Sequence, residues 1–118
     1  MPSNADLCLF CRIASGAIPA KKVHEDADVV AFHDINPQAP THVLVIPRKH
    51  ISALDELTDA DAATIGTTIV RATEIARELH LEQEGYRVVI NNGEGAGQTV
   101  FHIHVHVLGG RAFTWPPG

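Results

Sequence analysis

The sequence predicts an α+β fold: an antiparallel sheet of about five strands, one long helix covering a face of it, and a short N-terminal helix. Two observations carry this reading. Short apolar segments rich in Val and Ile recur between turn residues, as strands do. A single stretch, "LTDADAATIGTTIVRATEIARELHL", instead places apolar residues at helical spacing.

Each element follows in order. Residues 9–14 predict a short helix, stopped by Ser15-Gly16 and Pro19. "KKVHEDADVVAFHDI" predicts two strands around a turn at Asp26-Ala27-Asp28, and "NPQAP" is turn chemistry. "THVLVIPRKH" is a buried strand ending at Pro47, because proline has no N–H for a ladder. The long helix starts at a Thr58 cap, with Asp61 as the acid of a capping box. Ile65, Ile69, Ala72, Ala76 and Leu79 form its expected buried stripe. "YRVVINN" is a further strand, "GEGAGQT" a loop with three glycines, and "VFHIHVHVL" the last strand. The tail "RAFTWPPG" is too rich in proline and glycine to be regular.

Composition bounds the function. At 118 residues and 45% apolar content, the chain suits one hydrophobic core, so residues 1–118 read as a single domain. No apolar run approaches the roughly 18 residues of a membrane span. The start "MPSNADLCLFCR" lacks a basic, then apolar, leader pattern, which predicts a cytoplasmic location. A net charge of −5 argues against nucleic acid or an acidic membrane as partner. It leaves a small phosphate ligand open, since an anion site needs only local donors. The two cysteines, Cys8 and Cys11, lie too close together to staple distant segments, so the pair suggests metal or redox chemistry.

The densest chemistry is "FHIHVHVLGG". Side chains alternate along a strand, so His102, His104 and His106 share one face, while Ile103, Val105 and Val107 face the helix. A solvated face normally mixes Thr, Lys, Glu and Ser rather than three imidazoles. Two uses remain: a metal site, or a nucleophile with its supports, because neutral imidazole attacks phosphorus. The glycine loop leading into the strand favours the second, since glycine lets backbone N–H groups approach a phosphate.

"HIHVHVLGG" resembles the motif of the histidine triad (HIT) family. "FHDINPQAPTHVLVIPRKHIS", "GYRVVINNG", "GQTVFHIHVHVLGGR" and "WPPG" resemble its Hint branch, the purine nucleoside phosphoramidases. The resemblance runs from about residue 18 to the end. It implies a HIT-like fold, and a homodimer whose sheet continues from one protomer into the other. It also implies hydrolysis of the P–N bond of AMP- or GMP-type phosphoramidates, with no cofactor for catalysis. By motif position His104 is the nucleophile, His106 and His42 contact phosphate oxygens, and His102 helps orient His104, partly through its backbone carbonyl. Gly97, Gln98 and Thr99 line the phosphate and leaving-group side, and Asp34 holds the ribose. Phe10, Ile13, Phe32 and Ile35 wall the base, Asn91 contacts the nucleotide, and Trp115 approaches the partner's site.

Two features depart from the Hint pattern. Thr99 stands where its relatives usually carry serine, which adds a methyl group and stiffens χ1. Cys8-x-x-Cys11 resembles other HIT branches that bind zinc, and by position the remaining ligands are His50 and His102. The alternative is an ordinary pair of thiols on a short helix. Competing functions are a dinucleoside polyphosphate hydrolase, a nucleotide-binding protein with low turnover, a metal store, and a thiol redox protein. The last lacks a following βαβ pattern.

Overall fold

The computed structural model describes residues 7–118; the first six residues, part of the stretch read for a leader, lie outside the described residues. The described residues form five antiparallel strands: β1 (Lys22–Glu25), β2 (Val29–His33), β3 (Thr41–Pro47), β4 (Tyr86–Val89) and β5 (Val105–Gly109). Their order across the sheet is β1-β2-β3-β5-β4. Helix α1 spans Leu9–Ala14 and α2 spans Ala62–Glu78. The α+β fold expected from the sequence is the one observed. Among the described residues no helix is long and apolar enough to cross a membrane.

The central strands are buried on both faces, which explains why "VLVIP" reads as a continuous apolar run rather than an alternating one. Val29, Ala31, Val43, Val45, Val105 and Val107 point toward α2 and meet Ala72, Ile75 and Ala76. Val30, Phe32, Leu44 and Ile46 point the other way and meet Phe10, Ile13 and Ala14 of α1. At about 1.5–3 kcal/mol per large apolar side chain, this two-sided burial outweighs any surface ion pair in holding the sheet.

The expected Thr58–Asp61 capping box forms, but on a 3-10 turn (Asp59–Asp61) that leads into α2. The Asp61 carboxylate accepts from the Thr58 N–H at 3.1 Å and lies 2.6 Å from the Lys49 ammonium. Its buried face is rotated from the expected stripe. Thr68, Ala72, Ile75 and Ala76 face the sheet, Ile65 and Leu79 are half-buried, and Ile69 is 40% exposed. Small Ala72 and Ala76 fit close to the strands, and the Thr68 hydroxyl is satisfied by the Thr64 carbonyl at 2.8 Å. Arg48 ties α1 down, donating to the Ala14 carbonyl at 2.8 Å and to the Asp26 carbonyl at 2.7 Å.

The last strand is shorter than the alternation suggests. The ladder between β3 and β5 runs from Thr41↔Gly109 to Val45↔Val105 and stops. Beyond Val45 the partner strand reaches Pro47, which has no N–H to donate, and whose carbonyl is taken by the His102 ring at 2.7 Å. The Ile103 N–H turns to the Ile51 carbonyl at 2.6 Å. Residues 100–104 therefore leave the sheet, so of the triad only His106 lies on a regular strand.

Candidate active site

The state of each triad imidazole is fixed by a backbone group, met directly by His102 and His104 and through His42 by His106. His104 Nδ1 lies 2.7 Å from the His102 carbonyl oxygen, which only accepts. Nδ1 therefore carries the proton and Nε2 keeps its lone pair. Burial lowers the pKa of His104, with the His102 carbonyl and the Asp34 charge opposing, so the ring stays neutral.

His42 is fixed in the opposite sense. The Gln38 N–H donates to His42 Nδ1 at 3.0 Å, so the His42 proton sits on Nε2 and is donated to His106 Nδ1 at 2.9 Å. The His106 proton must then lie on Nε2. That atom is buried and has no hydrogen-bond partner among the described residues. Burial first, then the neighbouring His104 and His42, push the His106 pKa down to about 4. Burial also lowers His42, against the Asp34 carboxylate, whose Oδ2 lies 3.5 Å from His42 Nε2.

The rings of His104 and His106 are 4.9 Å apart between centroids. A neutral nucleophilic nitrogen thus stands beside an N–H that lacks an acceptor. Tetrahedral phosphorus with its anionic oxygens would satisfy both.

Phe10 meets His104 edge-on at 5.0 Å and packs against Phe32 at 5.4 Å. Phe10, Ile13 and Phe32 are buried, so they belong to the core beneath α1 as well as to the neighbourhood of the nucleophile. Asp34 sits at the end of β2, and its Oδ1 accepts from the Asn36 N–H at 2.8 Å. Ile35, expected as a wall, is fully exposed and unpacked. Trp115 is also exposed and lines a groove along β4 with Tyr86, Val88 and Phe113, to which no triad histidine contributes.

The glycine loop differs most from expectation. The Gln98 amide accepts from the Gly93 N–H at 2.8 Å and donates to the Ser52 and Val100 carbonyls at 2.8 and 3.1 Å. The N–H groups of Ala96, Gly97 and Gln98 all bond back within the loop. Gly97 is required for its left-handed φ of 94°. The expected phosphate cradle of outward N–H groups is therefore absent at these positions, and the buried Gln98 side chain braces the loop. Thr99 is exposed, and Asn91 is half-buried beside Gly97.

The His102 ring turns away from His104 into a second cluster. Its Nε2–H donates to the Pro47 carbonyl, which frees the Nδ1 lone pair. Nδ1 lies 3.4 Å from Cys8 Sγ, 3.3 Å from Cys11 Sγ and 3.3 Å from His50 Nδ1. Cys11 Sγ is 3.2 Å from His50 Nδ1. A tetrahedral ion bonded at roughly 2.3 Å to sulfur and 2.0–2.1 Å to nitrogen separates such ligands by about 3.3–3.8 Å. The Cys11 N–H also points at Cys8 Sγ, 3.4 Å away. The four expected residues thus form a set that fits zinc.

Asp34, His42 and His106 also bring potential ligand atoms within 4.8 Å of one another. There the Gln38 N–H forces a proton onto His42 Nε2, so this set has no lone pair to give at that atom. Gln38 and Pro47 were not singled out as site residues by the sequence. Both act through backbone atoms, and the only available signals were the turn preceding His42 and the strand end at Pro47.

The HIT domain family model matches residues 15–113. An uncharacterized HIT-like protein of Synechocystis sp. is 48% identical over 114 residues, covering 97% of this chain and 99% of the relative. The crystal structure of a HIT family hydrolase from Legionella pneumophila superposes with a TM-score of 0.92 at 51% identity, covering 94% of this chain and 99% of that one. A histidine triad nucleotide-binding protein from Candida albicans gives a TM-score of 0.78 at 33% identity, covering 92% of this chain and 82% of that one.

Proposed function

This chain belongs to the HIT domain family, and from that premise we propose that it is a Hint-type hydrolase of purine nucleoside 5′-phosphoramidates, acting in the cytoplasm as a homodimer of single-domain chains. The observation that carries the reading is the pairing of a free Nε2 lone pair on His104 with an unpartnered Nε2–H on His106.

His104 Nε2 attacks the α-phosphorus in line with the leaving amine, while its Nδ1–H remains on the His102 carbonyl and supports the positive charge that develops on the ring. The P–N bond breaks, and the amine takes up one proton as it departs. In this reading His106, as a neutral N–H donor, binds an equatorial oxygen rather than supplying that proton; exposed Thr99 relays it from solvent. Water then attacks the nucleotidyl-histidine, releasing the nucleoside monophosphate and returning a proton. His42 acts through His106, because both its nitrogens are engaged. The base lies toward Phe10, Ile13 and Phe32, with Ile35 closing over it and Asn91 and Gly97 at the loop side. The ribose lies at Asp34.

Cys8, Cys11, His50 and His102 would hold a structural zinc, a closed four-ligand crosslink that pins α1 to the segment carrying the nucleophile. The homodimer reading rests on the open edge of β4, where Val88 is 40% exposed beside Trp115. Sedimentation of the purified chain tests it.

Turnover of a fluorogenic adenosine tryptamine phosphoramidate tests the activity. Wild type should hydrolyse it, and His104→Ala should lose roughly 10⁴-fold in kcat while still binding AMP. Equal activity in the variant would end the nucleophile assignment. Wild type that binds AMP without turnover would favour a nucleotide-binding role.

A further inference from the structure

The segment immediately after the triad, Gly109-Gly110-Arg111, does more than end a strand. Gly109 packs onto Leu81, where a Cβ would lie 2.7 Å from Leu81 Cδ2. Gly110 has a φ of 88°, and a Cβ there would lie 2.9 Å from Pro40 Cβ. The backbone leaving β5 therefore touches the turn of residues 37–40. Arg111 completes the contact by donating from Nε to the Gln38 carbonyl at 3.1 Å. Its guanidinium is itself held, with Cζ 4.2 Å above the Phe113 ring and Nη1 donating to the Ala112 carbonyl at 3.1 Å.

Gln38 is the residue whose N–H sets the state of His42. The chain of fixed protons runs from the Gln38 N–H to His42 Nδ1, from His42 Nε2–H to His106 Nδ1, and ends on the unpartnered His106 Nε2–H. If the Gln38 N–H moves away, His42 Nδ1 is free to take the proton, and only the longer 3.5 Å contact of Nε2 with the Asp34 carboxylate still favours it on Nε2. With the proton on Nδ1, His42 Nε2 could only accept, and His106 would place its own proton on Nδ1. Its Nε2 would then face the active site as an acceptor, repelling a phosphoryl oxygen.

We infer that Arg111 is a positioning residue for the reaction: by clamping Gln38 it holds His42 and His106 in the tautomers that aim an N–H at the substrate. The kinetic part of this inference rests on the proposed phosphoryl chemistry; the tautomer part does not.

The test is ¹⁵N imidazole NMR of the full-length protein at neutral pH, with turnover of the phosphoramidate measured on the same samples. Wild type should show His42 and His106 each as a single Nε2–H tautomer. In Arg111→Ala both should become mixtures, kcat should fall about fivefold, the effect of one lost hydrogen bond of ~1 kcal/mol, and KM should move less than kcat. Arg111→Lys, which keeps a donor, should restore much of both. Gly110→Ala, which drives a methyl into Pro40, should perturb the same two rings by a second route. A retained single tautomer in both Arg111→Ala and Gly110→Ala would overturn the inference, as would an equal kcat loss in Arg111→Lys. A tautomer shift with no turnover in wild type would uphold the clamp and overturn the proposed reaction instead.

Discussion

The two histidine groups that flank His104 are built from the same residue type and behave in opposite ways. Around His102 the lone pairs converge: its Nδ1 faces two sulfurs and His50 Nδ1, because its other nitrogen carries the proton and donates it in a hydrogen bond to the Pro47 carbonyl. Around His106 donors and acceptors alternate in a line, because the Gln38 N–H occupies the first acceptor. Coordinate proximity alone groups both as potential metal ligands. What separates them is one backbone group each, a carbonyl in one case and an N–H in the other. A histidine's function is thus set by what its far nitrogen meets.

Breaking the converging cluster should have the largest effect. Cys8→Ser with Cys11→Ser should reduce bound zinc from one per chain to none, measured by atomic emission. It should also lower Tm by roughly 10–20 °C, if zinc stabilises by ~3–4 kcal/mol at saturating concentration. Unchanged metal content and melting would remove the zinc site. Breaking the alternating line should do the converse. His42→Ala should keep the metal and lower kcat about 10- to 100-fold, the worth of one charge-assisted hydrogen bond of ~1.5–3 kcal/mol. If either variant harms both readouts equally, the division between the clusters is wrong.

The fold was legible in the residues because its determinants are periodic. The alternation at Val105 and Val107, the apolar run of β3 and the Thr58–Asp61 capping box ahead of α2 each appear as expected. The helical stripe was misjudged by one position. Ala72 and Ala76 are buried as expected, but Ile69 is exposed, and Thr68 and Ile75 complete the buried face instead. The triad was legible as a family motif but not as geometry. Alternation assigned three imidazoles to one face of one strand, yet residues 100–104 leave the sheet at Pro47 and send the His102 ring elsewhere. Backbone partners such as Gln38 and Pro47 have no side-chain signature. The loop glycines carried a misleading one, since a turn that closes on itself has the same composition as one that opens its N–H groups to an anion.

Acid should reveal the alternating line through stability. His106 titrates at about 4 in the folded chain against 6.5 for an ordinary histidine. Between these values the unfolded chain binds a proton that the folded chain refuses, so stability falls as pH drops from 6.5 toward 4 and is insensitive to this group above that window. His106→Asn should flatten this part of the urea midpoint against pH. An unchanged slope would mean that the ring is not held neutral by its surroundings.

The smallest expected effect lies at Thr99, on the side of the converging cluster. Thr99 is exposed and borders a cleft with Cys8, His50, Val100 and Phe101, while the neighbouring Gln98 is locked inside the loop. Serine at this position keeps the hydroxyl and removes only the methyl group that restricts χ1. Thr99→Ser should therefore leave zinc content and Tm unchanged and shift kcat by less than about threefold, which is under ~1 kcal/mol. Thr99→Val, which keeps the shape and removes the hydroxyl, should lower kcat more than Thr99→Ser does, and more for poor leaving amines than for good ones, because only the former need the proton relayed. An equal response to both substitutions across amines of different basicity would show that the hydroxyl carries no proton to the leaving group, and would move that task to solvent alone.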